Sequence, residues 1–126
     1  VSTTVLIADN HDDHYLQMEA TLLQEGYNVE RVCSGEDALL RCSSLPPVNI
    51  VLLDVSLPGK NNHLITQHLR SDRFPPLIFI LIAGFSLAAV SLAMAWGCKE
   101  FLSKPVGRTE LLAVVKKWSH KVPLSK

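Results

Sequence analysis

The stretch from Val48 to Gly59, Val-Asn-Ile-Val-Leu-Leu-Asp-Val-Ser-Leu-Pro-Gly, constrains the fold more than any other part of the chain. Its apolar run shows no alternation with polar residues. That pattern marks a strand buried on both faces, as in parallel sheets covered by helices on either side. The run ends in one carboxylate, Asp54, and a Pro58-Gly59 turn follows. A carboxylate where such a strand meets its loop lies on the rim where open α/β sheets place their ligands. With 126 residues the chain can bury one core and not two.

The remaining segments fit around that strand. Thr4–Ala8 is a short apolar strand followed by Asp9-Asn10-His11-Asp12-Asp13, where a helix should start, capped by one of the Asx side chains. Leu16, Ala20 and Leu23, with Tyr15 and Met18, supply its apolar positions, and Gly26 should end it in a left-handed conformation. Asn28–Val32 carries charge and belongs at a sheet edge. Ser34 can cap a second helix containing Ala38, Leu39 and Leu40. After Pro58-Gly59, Leu64, Ile65 and Leu69 mark a third helix. Residues 77–82 form the most apolar strand, and a helix from Ser86 to Trp96 ends at Gly97. Residues 100–103 make a fifth strand before Lys104-Pro105, and residues 109–118 a last helix with Leu111, Leu112, Val114 and Val115 for packing.

Strands alternating with helices imply a doubly wound α/β fold, a flavodoxin-like three-layer sandwich with parallel strand order 2-1-3-4-5. Its switch point lies between the first and third strands, so Asp9 and Asp54 share one crevice and Lys104 can reach the same rim. That is the outline of a phosphate-and-metal site.

Composition removes other classes. Twelve basic and twelve acidic side chains leave the chain formally neutral, and no basic stripe suggests nucleic-acid contact. The longest apolar run, residues 77–83, is too short to span a bilayer, and no signal peptide opens the chain. Cys33, Cys42 and Cys98 form no C-x-x-C pair and read as thiols of a reducing cytosol. His11 and His14 stand three apart beside Asp9, as in a transition-metal site. With no sulfur or third ligand in view, they read as ordinary polar residues at a helix start.

Val5-Leu6-Ile7-Ala8-Asp9, Leu52-Leu53-Asp54-Val55-Ser56-Leu57-Pro58-Gly59 and Phe101-Leu102-Ser103-Lys104-Pro105, in this order, resemble the receiver domains of two-component response regulators, the chemotaxis-regulator fold. The resemblance covers nearly the whole chain. It implies a signalling domain in the cytoplasm rather than an enzyme, taking a phosphoryl group on Asp54 from a sensor histidine kinase or phosphotransfer protein. It further implies that Asp54 and the Ser56 carbonyl ligate Mg²⁺ and that Asp9 holds a metal-bound water. Lys104 would pair with Asp54 and then with the phosphoryl oxygens, aimed by a cis bond before Pro105. The domain is expected over residues 1–120, with 121–126 a tail opening a linker to an output domain.

Three positions depart from the family. Asn10 replaces an acidic metal ligand. A unit charge lost near a divalent ion costs on the order of a few kcal/mol at an effective dielectric of about 20, or roughly tenfold to a thousandfold in affinity. Ile82 stands where receivers carry Ser or Thr, whose hydroxyl bonds the phosphoryl group and moves the next loop. Phe101 holds the aromatic switch position, where Tyr is common. Finally, no charged residue occurs from Gly84 to Cys98, so the helix from Ser86 to Trp96 is apolar all round. Such a helix is buried or meets a partner, here a second copy or an output partner.

Two readings follow: a phosphoaccepting receiver with a weakened Mg²⁺ site, or a degenerate receiver kept as a protein-interaction or dimerisation module. A third class, a flavodoxin-like cofactor-binding domain, is disfavoured because no glycine-rich phosphate loop follows the first strand.

Overall fold

In a computed structural model, residues 3–57, 67, 78–84, 86–95 and 97–119 are described. The elements are β1 (Thr4–Ala8), α1 (Asp12–Gln24), β2 (Asn28–Val32), α2 (Gly35–Cys42), β3 (Ile50–Asp54), β4 (Ile78–Gly84), α3 (Leu87–Ala95), β5 (Glu100–Lys104) and α4 (Arg108–Ser119). The expected helix of Leu64, Ile65 and Leu69, the Pro58-Gly59 turn and Trp96 lie outside the described residues.

The five strands form one parallel sheet in the order β2-β1-β3-β4-β5, with charged β2 at an edge. Both faces of the central strands are covered, which is why β1 and β3 show no alternation. Val5, Ile7, Ile50 and Leu52 pack on one side with Tyr15, Met18 and Leu22 of α1 and Leu111 and Val115 of α4. Leu6, Ala8, Val51 and Leu53 pack on the other with Ala38 and Cys42 of α2.

Local signals account for most boundaries. Gly26 and Gly97 take φ of 87° and 72°, where a side chain would be strained. Ser34 Oγ accepts the Asp37 N–H at 3.1 Å, capping α2, and Ser86 Oγ accepts the Ala89 N–H at 3.0 Å, capping α3. The three cysteines form no disulfide. No helix among the described residues is long and apolar enough to cross a membrane.

Helix α1 corrects two expectations. Its N-cap is His11, which makes no side-chain cap hydrogen bond, so no Asx residue caps it. Asp9 is drawn into the crevice instead, while Asp12 and Asp13 sit inside the first turn, where acidic groups favour the helix dipole. The buried stripe is Tyr15, Met18, Thr21 and Leu22, whereas Leu16 and Leu23 are half exposed and Ala20 faces outward. The phase is set by Tyr15, whose hydroxyl donates to Glu19 at 2.6 Å and whose ring lies under the Arg31 guanidinium at 4.5 Å. Burial, with the bond and charge of Glu19, pushes that phenol up to about 12 against the opposing charge of Arg31. In α2, Leu40 likewise faces solvent while Ala38 is buried.

Candidate functional site

Parallel strands end at the same rim, and β1, β3 and β5 each deliver one ionisable group there. Asp54, at the end of β3, is 1% exposed. Its Oδ1 accepts two hydrogen bonds from Ser56, from the backbone N–H and from the hydroxyl, both at 2.8 Å. Its Oδ2 pairs with Lys104 Nζ at 2.5 Å. Burial is the largest influence on this carboxyl and pushes it up. The bonds and charge of Lys104 and the two Ser56 donors outweigh burial and hold it below the ordinary 3.8. The result is a desolvated, ionised carboxylate, which suits a nucleophile. The peptide bond before Pro105 is cis.

Asp9 follows β1 and is also 1% exposed. Its Oδ1 accepts the His11 backbone N–H at 2.8 Å and lies 3.2 Å from His11 Nδ1, while its Oδ2 lies 2.5 Å from His14 Nδ1. A carboxylate only accepts, so His14 Nδ1 carries the proton in that bond. The Asp9 carbonyl accepts Arg31 Nε–H at 3.0 Å, fixing the turn from behind. His11 Nδ1 is also 3.7 Å from Asp54 Oδ2, so its ring stands between the two carboxylates.

The residues singled out from sequence are therefore only partly assembled. Asp9, Asp54 and Lys104 meet. Ser56 meets them through its hydroxyl and N–H, two donors beyond the carbonyl that the family resemblance implies. Asn10 is exposed. Ile82 is the register partner of Asp54 and is 1% exposed, packed with Ile80, Leu52 and Leu102. Strand parity puts it on the same face as Asp54, as an apolar wall. Phe101 is partly buried against the opposite core. His11 and His14 were discounted for want of a third ligand. The fold brings Asp54, remote in sequence, to Asp9 and His11, while His14 stays outside that group on Asp9 Oδ2.

Buried paired carboxylates at this switch point, with a lysine from the last strand, agree with the sequence comparison. Residues 5–116 match the response regulator receiver domain. The chain belongs to that family. This receiver is 30% identical over 112 residues to the transcriptional regulatory protein CpxR of Klebsiella pneumoniae subsp. pneumoniae (strain HS11286), covering 89% of this chain and 47% of that one. The chain thus spans about half the length of that relative. A protein described as a response regulator of Chloroflexus aurantiacus J-10-fl superposes with a TM-score of 0.86 at 28% identity, over 94% of this chain and 98% of that one. A CheY-like receiver domain protein of Methanospirillum hungatei JF-1 gives 0.82 at 24% identity, over 96% and 97%, which bears on the fold alone.

Receiver domains typically bind Mg²⁺. Here Asp9 and Asp54 suit any divalent cation. The third donor grouped with them is a His11 ring nitrogen, which Mg²⁺ takes poorly. The receiver's oxygen donors fit the expected ion; its nitrogen donor does not.

Proposed function

We propose that Asp54 accepts a phosphoryl group from a phosphohistidine on a sensor kinase or phosphotransfer protein, as the receiving step of two-component signalling. An Asp54 oxygen attacks phosphorus, the P–N bond breaks, and its electron pair returns to the donor's imidazole nitrogen, which takes up a proton. Lys104 pairs with Asp54 before transfer and with the phosphoryl oxygens after it. The Ser56 donors keep the carboxylate oriented throughout. A divalent cation, when bound, supplies neutralising charge to the incoming group. On this reading Asp9, Asn10, Asp54 and the Ser56 carbonyl would hold Mg²⁺, weakly because Asn10 brings no charge. The receiver extends over residues 1–120 and works in the cytoplasm.

The observation that supports this most is Asp54 itself, 1% exposed yet held ionised by Lys104 and Ser56. The test is intact mass after incubation with acetyl phosphate and Mg²⁺. One phosphoryl addition is expected, and none in Asp54→Asn. An unlabelled wild-type protein would remove the reading.

Ile82 favours a second reading for the output. With an isoleucine buried beside Asp54, the hydroxyl-driven switch is missing. The domain then works through constitutive contacts of α3 with a second copy or an output partner. A protein that stays unlabelled while binding a partner through α3 would support this reading over the first.

A further inference from the structure

His11 is a donor that phosphoryl acceptance does not require. Its Nδ1 stands 3.2 Å from Asp9 Oδ1 and 3.7 Å from Asp54 Oδ2, and donor atoms of the three residues all lie within 4.8 Å of one another. Ligands about 2.1 Å from one ion lie about 3.0–3.4 Å apart at octahedral or tetrahedral angles. The Asp9–His11 spacing of 3.2 Å falls inside that range and the His11–Asp54 spacing of 3.7 Å lies just outside it. Among the described residues, no other group of His, Cys, Asp and Glu is so arranged.

The surroundings hold these donors in place. His14 takes Asp9 Oδ2 and Ser56 takes Asp54 Oδ1. Asp9 Oδ1, which also accepts the His11 backbone N–H, and Asp54 Oδ2, which Lys104 pairs with, face the His11 ring, and outer partners such as His14 and Ser56 orient ligands and tune a metal. Lys104 is the competing cation at Asp54 Oδ2. The His11 side chain is 55% exposed, so the ring is open to solvent and leaves room for water ligands. Oxygen donors alone suit Mg²⁺, whereas an imidazole nitrogen suits ions such as Zn²⁺ and Ni²⁺.

We propose that Asp9, His11 and Asp54 bind a divalent transition ion of the Zn²⁺ class, with His11 as the ligand that selects it over Mg²⁺. Asn10 and His11 then belong to one change: a charged ligand is lost at one position and a nitrogen ligand gained at the next. The inference rests on the receiver reading for what the ion serves, and on the geometry alone for the site.

Calorimetric titration with Zn²⁺ and separately with Mg²⁺ tests it. One Zn²⁺ per chain is expected, bound at least about a hundredfold tighter than Mg²⁺. His11→Ala should weaken Zn²⁺ by about tenfold or more and Mg²⁺ by less than about twofold. His11→Gln, which keeps bulk and polarity, should lose Zn²⁺ to the same extent. Cys33→Ser, which removes the exposed thiol 4.0 Å from the Asp9 carbonyl, should change neither. Equal affinity for the two ions, Zn²⁺ binding that survives both His11 variants, or binding lost with Cys33 overturns the assignment. Labelling of Asp54 with Mg²⁺ is read separately. Labelling without His11-dependent Zn²⁺ binding keeps the function and removes the site, and the converse keeps the site and removes the function.

Discussion

The carboxylate pocket and the α3 edge of the sheet, the acceptor and output sides on the proposed function, meet at the Asp54–Ile82 step, and they differ in polarity. On the pocket side, the oxygens of Asp9 and Asp54 face Ser56, His11, His14 and Lys104. On the output side comes Ile82, then Ala83, then α3, with no charge between Gly84 and Cys98 and with Leu87 82% exposed. A backbone bond from Val55 N–H to the Ile82 carbonyl, 2.9 Å long, crosses the step, but the Ile82 side chain has no donor to follow it. On the proposed function, receiving a phosphoryl group and reporting it are physically separable tasks. Sheet register makes these positions neighbours without making them coupled.

If the pocket depends on charge compensation, Lys104→Met should produce the larger disturbance. It leaves a buried carboxylate without its cation beside a second one, at an expected cost of about 1–3 kcal/mol at neutral pH. The pH dependence carries the sign. Asp54 titrates below its ordinary value when folded, so its stabilising contribution is present above about pH 4 and lost as pH falls through the lowered value. In Lys104→Met the largest lowering influence is gone and burial opposes Ser56 alone, so this acid-side slope should shrink. Urea midpoints from pH 2 to pH 7 measure it. An unchanged slope would mean that Lys104 is not what keeps Asp54 charged.

The same contrast separates what the sequence could disclose from what it could not. The β1 and β2 boundaries, the glycine stops, the Ser34 and Ser86 caps and the convergence of Asp9, Asp54 and Lys104 were legible, because each follows from local chemistry or strand order. The inward face of α1 was not. Leu16, Ala20, Leu22 and Leu23 support two overlapping stripes at helical spacing, and the choice falls to tertiary partners of Tyr15. His11 was visible beside Asp9, but its approach to Asp54 depends on how β1 and β3 pair. The Ser56 hydroxyl was hidden because its bond to Asp54 depends on the turn closed by the Leu57 N–H on the Asp54 carbonyl.

At the step itself, Ile82→Thr should cost about 1–2 kcal/mol, since it removes buried methyl packing and adds a hydroxyl. In exchange it places a donor beside Asp54. Hydrogen exchange of the α3 amides, with and without acetyl phosphate, should differ in the variant and not in the wild-type protein. An equal response in both would show that the two regions communicate without a hydroxyl, and the contrast would lose its meaning.

The smallest effect is expected at the far end of the output edge. Leu87 opens α3 and is mostly solvated, so the fold gains little from its side chain. The first turn of α3 carries no acidic residue, and a carboxylate there would meet the positive end of the helix dipole. Leu87→Glu should therefore leave stability unchanged or raise it by about 0.3–1 kcal/mol. Sedimentation velocity of wild type and variant over a concentration series distinguishes the cases. If a second copy covers α3, the wild-type protein associates and Leu87→Glu does not. If both remain monomeric, no second copy covers α3. A clear loss of stability in Leu87→Glu would instead show that the leucine packs within the domain, and the output edge would no longer differ from the pocket in the way described.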